Sequence, residues 1–92
     1  DLFNTIEELV LHHSPSGVEG EIDQWLMRRF ESLGVKAWLD RAGNAIAHLP
    51  GFDSTRAIAI TAHKDEIGAI VKTLGEAGRV EVRKLGGAFP WV

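Results

Sequence analysis

The sequence predicts a mixed α/β fold in which two N-terminal helices pack on a β-sheet. Apolar residues recur at helical spacing over the first third of the chain, and two hairpin patterns follow with a short apolar run between them. The change of period from 3.6 to two marks the change from helix to strand. Helices followed by strands are typical of a layer of helices on a sheet.

Composition narrows the class of protein. The 92 residues are 45% apolar and 25% charged, which is typical of one small soluble domain. A net charge of -3, with scattered Lys and Arg, argues against a nucleic-acid partner. The chain has no cysteine, so His and carboxylates are the available metal ligands. With no long apolar run and no signal peptide, we expect no membrane association and a cytoplasmic location.

The first predicted helix carries Leu2, Ile6, Leu9 and Val10 on one side and ends before Ser14-Pro15. In the second, Ser16 and Glu19 have the spacing of a capping box, which predicts Ser16 as the N-cap. An apolar stripe follows along this helix, comprising Val18, Ile22, Trp25, Leu26, Phe30 and Leu33. Gly34 is predicted to end it, because glycine accepts a positive φ without strain.

The strand region opens with a predicted hairpin. The first strand is predicted from the alternating pattern of residues 35–39, and the second from the mostly apolar residues 45–49. The turn-forming residues 40–43 lie between them. Residues 56–62 then form an apolar run of strand length, which predicts a strand buried on both faces of a sheet.

A second hairpin is predicted from residues 69–74 and 79–85 around the Gly75–Gly78 turn. The apolar residues 88–92 follow it without charge or stop signal. This pattern leads us to expect a fragment of a larger protein.

The chemistry is expected at the end of the apolar run, where His63 and Asp65 occur. In an extended chain, residues two apart point to the same face, so these side chains could share one site. Neutral imidazole is a good ligand for zinc or cobalt, and a carboxylate can hold its other ring N–H. The alternative is structural: a hydrogen-bonded histidine at a strand end beside a solvated acid.

The other polar candidates are interpreted as structural. His12 and His13 are neighbours on a helix, so they do not converge on one metal, and they suit a helix C-terminus. His48 is predicted to be a partly exposed sheet residue. Glu66 points away from Asp65 in an extended strand, which favours a structural or supporting role.

Four motifs occur in one order along the chain: residues 14–19, 40–47, 62–68 and 85–87. Together they resemble the start of the tetrahedral aminopeptidases, the family of glutamyl and deblocking aminopeptidases, some members of which were once labelled endoglucanases. Lys64 departs from the family pattern, which usually has methionine at this place. Since this residue should point away from His63 and Asp65, we expect little effect on metal binding.

The resemblance implies a zinc-exopeptidase-like catalytic domain with two divalent metal ions, zinc or cobalt, that hydrolyses peptides. His63 would bind one metal and Asp65 would orient that histidine. Further ligands and the general base would come from later parts of the family's chain, so this piece alone should be inactive. Residues 1–67 would belong to the catalytic domain, and residues 68–92 would begin an inserted β-barrel that dimerises and builds a twelve-subunit homo-oligomer.

Two other functions are also compatible with the sequence. The first is another co-catalytic zinc hydrolase, carboxypeptidase-like or aminoacylase-like, which would also use a His-x-Asp pair after a buried strand. The second is a non-catalytic interaction module, because nothing inside the chain completes a mechanism.

Overall fold

The computed structural model describes residues 1–87, so the predictions for residues 88–92 lie outside the described residues. Its helices and strands run in the order α1 (Leu2–Val10), α2 (Gly20–Ser32), β1 (Lys36–Leu39), β2 (Ala45–His48), β3 (Gly68–Leu74), a 3-10 turn (Glu76–Gly78) and β4 (Val80–Leu85). The mixed α/β prediction is confirmed. Within residues 1–87, however, the strands form two separate antiparallel pairs, β1 with β2 and β3 with β4, instead of one sheet.

The chain divides into two compact units. One comprises residues 20–63, and the other comprises residues 1–19 with the described chain from Lys64 onward. In the first of these units, α2 packs against β1 and β2. Ile22 on α2 is the buried apolar residue of the described chain, at 3% exposure.

Gly34 ends α2 as predicted. Its φ is 68°, and the N–H of Val35 donates to the carbonyl oxygen of Phe30 at 2.9 Å. This bond spans the last turn in the manner of a Schellman motif, which needs a left-handed residue at this place. A glycine adopts that conformation without strain from a Cβ.

The turn between β1 and β2 is organised by Asp40. Its Oδ1 accepts the N–H groups of Ala42 (2.9 Å) and Asn44 (2.8 Å), and its Oδ2 accepts the Asn44 side-chain amide at 2.8 Å. The side-chain bond from Asn44, followed by the backbone bond from the same residue, lowers the pKa of Asp40 below its usual value of 3.8. The predicted first hairpin is therefore confirmed, with an ionised carboxylate holding its turn.

The second unit contains α1 and the β3–β4 hairpin. Asp1 caps α1 by accepting the N–H groups of Phe3 and Asn4. The predicted second hairpin is confirmed: Gly68 lies opposite Leu85, and the pairing is interrupted by an irregularity between Val71 and Thr73. Large apolar side chains on both elements are exposed, among them Leu2, Phe3, Val10, Ile70, Val71, Leu74, Val80 and Val82.

Two sequence predictions are wrong. Ser16 does not cap α2, because Ser16 and Gly17 form the corner of a turn and the helix begins only at Gly20. Residues 56–62 form no strand within the described part of the chain, and Ile58 and Ile60 are each 94% exposed. A strand requires a hydrogen-bonded neighbour, and residues 1–87 supply none to this run.

Within residues 1–87, no helix has both the length and the apolar character that a membrane crossing requires.

Candidate functional site

His63 and Asp65 follow the exposed apolar run. His63 is exposed and Asp65 is half-buried. His63 is the last residue of the unit formed by residues 20–63, whereas Asp65 belongs to the other unit. That the two side chains share one site stays a prediction.

The carboxylate of Asp65 is held by a residue that lies 49 positions earlier in the chain. The Ser16 hydroxyl donates to Oδ2 of Asp65 at 2.5 Å. Sequence reasoning missed this bond, because it used the Ser16 side chain as a helix cap. The only sequence signal was that both residues lie in motifs shared with one family.

The backbone beside Asp65 is also held. The N–H of Glu66 donates to the carbonyl oxygen of Ser14 at 2.7 Å, and Pro15 and Glu66 form a parallel β-bridge. The Glu66 side chain is exposed. The bond that Glu66 makes here is a backbone bond, and the structural or supporting role of its side chain stays a prediction.

Two of the remaining histidines occupy the places expected of structural residues. Nδ1 of His12 lies 2.6 Å from the carbonyl oxygen of Glu8, just after the end of α1. There the imidazole can donate to a carbonyl that the last helical turn leaves free. His48 is the exposed last residue of β2.

The donor chemistry of His63 suits zinc or cobalt, since imidazole nitrogen is a preferred ligand of both. A complete site needs three or more protein ligands. Among residues 1–87, no group of three His, Cys, Asp or Glu side chains could hold a metal ion. The described residues therefore fit one ligand position of a metal site and do not form a complete site.

Comparison with known sequences decides the family. A sequence model of the M42 glutamyl aminopeptidases matches residues 43–92, which is more than half of the chain. The chain belongs to the M42 glutamyl aminopeptidase family. The matched M42 region contains His63 and Asp65 and all of the β3–β4 hairpin.

Curated relatives agree with membership of the M42 family. The chain is 35% identical over 89% of its length to YhfE of Bacillus subtilis, which is provisionally named an aminopeptidase. It is 29% identical over its whole length to a glutamyl aminopeptidase of Lactococcus lactis. It is also 36% identical over 79% of its length to a protein of Thermococcus kodakarensis, provisionally named a LysW-lysine/LysW-ornithine hydrolase.

These matches cover 24%, 26% and 21% of the three relatives, so the chain spans about a quarter of their length. No solved structure matches the chain. The names of the relatives support a peptidase-like hydrolase.

Proposed function

We propose that this chain is the N-terminal part of a metal-dependent aminopeptidase that removes N-terminal residues from peptides. The observation that carries the proposal is the match of residues 43–92 to the M42 glutamyl aminopeptidases, since that region includes the His63 and Asp65 motif. The names of the Bacillus and Lactococcus relatives support the same reaction class.

In this proposal His63 supplies one imidazole ligand and Asp65 accepts the other ring N–H. That hydrogen bond would fix the tautomer and the orientation of the imidazole. When two divalent ions are bound, they supply a polarised water and stabilise the attacking and leaving groups. The remaining ligands and the general base come from parts of the protein beyond this chain.

The test is a metal-dependence assay on the full-length protein. The protein is stripped with a chelator, reloaded with zinc or cobalt, and incubated with peptides that have free or acetylated N-termini. We expect one residue at a time to be released from free N-termini, only after metal is restored. Activity that persists in the stripped protein, or cleavage inside acetylated peptides, would refute the aminopeptidase assignment.

A second candidate function is suggested by the relatives named LysW-lysine/LysW-ornithine hydrolases. Their identity of 36% and 31% is similar to that of the aminopeptidase relatives. Both candidates are hydrolases, so the substrate separates them. Release of lysine or ornithine from LysW conjugates, without release of residues from free peptides, would favour this second function.

The oligomer and the domain boundary are part of the proposal as well. Residues 68–92 would begin an inserted β-barrel that mediates dimerisation. Light scattering of the full-length protein checks this, because a monomeric enzyme would contradict the expected assembly.

A further inference from the structure

The Ser14–Glu19 turn and the Asp65–Glu66 segment lie in the same compact unit and are joined at two places. The first is the 2.5 Å bond from the Ser16 hydroxyl to Asp65 Oδ2. The second is the 2.7 Å bond from the Glu66 N–H to the Ser14 carbonyl oxygen. The backbone bond lies next to the side-chain bond in both segments, so the two bonds together fix the position of Ser16 relative to Asp65.

The position of the Ser16 hydroxyl is set by the turn in which it lies. The Val18 N–H donates to the Pro15 carbonyl oxygen at 2.8 Å, and Gly17 has a φ of 87°. A positive φ at the third residue is the mark of a type II turn, with Ser16 at the second residue. The Glu19 carboxylate accepts the Gly17 N–H at 2.7 Å and braces this corner.

Asp65 is placed with comparable precision. Its successor Glu66 forms the parallel bridge with Pro15, and a Cβ added at Gly68 would lie 3.5 Å from Pro15 Cβ. The backbone on both sides of the Ser16–Asp65 bond is therefore anchored. A hydrogen bond to a charged group is stronger than one between neutral groups, typically by about twofold.

We propose that Ser16 is a positioning residue for Asp65. Its hydroxyl donates to Oδ2 and thereby restricts rotation of the Asp65 carboxylate. The direction in which the carboxylate oxygens can accept other hydrogen bonds is then fixed. The inference rests on the proposed function, in which Asp65 orients His63. Ser16 itself touches neither metal nor substrate in this scheme, and it acts through Asp65.

The test compares Ser16→Ala, Ser16→Thr and a control in the full-length protein. Ser32→Ala is the matched control, because the Ser32 hydroxyl donates at 2.8 Å to the Arg29 carbonyl oxygen at the end of α2, in the unit that contains neither Ser16 nor Asp65. The measurements are zinc affinity by chelator competition, the melting temperature of the zinc-free protein, and kcat and KM for the released residue.

We expect Ser16→Ala to weaken zinc binding roughly threefold to tenfold. This loss is smaller than the roughly 10-fold to 100-fold loss of metal affinity that follows mutation of a residue hydrogen-bonded directly to a metal ligand. Ser16→Thr retains the hydroxyl and should restore the affinity to within about twofold of wild type, on the same scale. Ser32→Ala should leave zinc affinity unchanged.

A double-mutant cycle decides whether Ser16 acts through Asp65. Ser16→Ala added to Asp65→Ala should have no further effect on zinc affinity, since Asp65→Ala already removes the carboxylate that accepts the Ser16 hydroxyl. An equal loss in both backgrounds, or a lower melting temperature with unchanged zinc affinity, would overturn the positioning role. A wild-type protein that binds neither zinc nor cobalt would instead refute the proposed function itself.

Discussion

Glu66 donates its backbone N–H to the carbonyl oxygen of Ser14 across 2.7 Å, although 51 residues separate them in the sequence. This bond places the loop after α1 alongside the segment that follows His63. Together with the Ser16–Asp65 bond, it joins the Ser14–Glu19 motif to Asp65 and Glu66.

Removal of the His63 imidazole should abolish metal retention. In the full-length protein, His63→Ala is expected to weaken zinc affinity by more than about 100-fold. Loss of a residue that only hydrogen-bonds a metal ligand lowers the affinity by at most about that factor, and loss of the ligand itself should exceed it. His48→Ala is the control, because His48 is an exposed residue at the end of β2. Equal zinc affinity in the two variants would remove His63 from the ligand set.

The 92-residue chain alone is expected to retain no stoichiometric zinc and to release no amino acid from peptides. Within residues 1–87, no three ligating side chains come together, so a bound ion would lack a complete site. Equilibrium dialysis against zinc, followed by metal analysis, checks this. One tightly held ion per chain would contradict it.

Gly17→Ala should destabilise the Ser14–Glu19 turn. The φ of 87° costs an alanine about 1 to 2 kcal/mol, although open space surrounds the added Cβ. Gly20→Ala is the matched control, since this glycine has no positive φ and also has open space around it. Urea unfolding of both variants in the full-length protein should show a lower midpoint for Gly17→Ala only.

The first hairpin should lose stability as the pH falls. Because hydrogen bonds from Asn44 lower the pKa of Asp40 below 3.8, the ionised form stabilises the fold. This contribution is fully present above the unfolded pKa of 3.8 and disappears as the pH falls through the lower folded value. Asn44→Ala should therefore raise the pKa of Asp40 toward 3.8, as measured by NMR titration of its carboxyl carbon. A pKa at or above 3.8 in the unchanged chain would disprove the role of these bonds.

The exposed run 56–62 should behave differently in the short chain and in the full-length protein. Ile58 and Ile60 are each 94% exposed, so replacing both with serine should cost the 92-residue chain no stability and reduce its binding of the dye ANS. If additional strands cover this run in the full-length protein, the same substitutions should cost about 2 to 5 kcal/mol each. Equal urea midpoints for wild type and variant in that protein would show that the run stays uncovered.

Several elements could be predicted because their causes are local. Gly34 ends α2 through its own positive φ, and Asp40 closes a turn with residues at most four positions away. The β3–β4 hairpin likewise depends on the short Gly75–Gly78 connection. In each case a few neighbouring residues contain both the signal and the hydrogen-bond partners.

The errors arose where local signals competed with distant partners. Ser16 and Glu19 have capping-box spacing, yet the Ser16 hydroxyl donates to Asp65 and the Glu19 carboxylate accepts the Gly17 N–H. Residues 56–62 have the composition of a buried strand, but composition does not provide a neighbouring strand. Their conformation depends on which other segments are present.

The sequence by itself determined the C-terminal end of α2, the two hairpins and the family, because the hydrogen bonds that form these elements join neighbouring residues and the order of the motifs can be read along the chain. Only the tertiary structure decided the partner of Ser16 and the pairing of Pro15 with Glu66. Such contacts depend on where the chain brings distant residues together, and neither periodicity nor spacing specifies that distance.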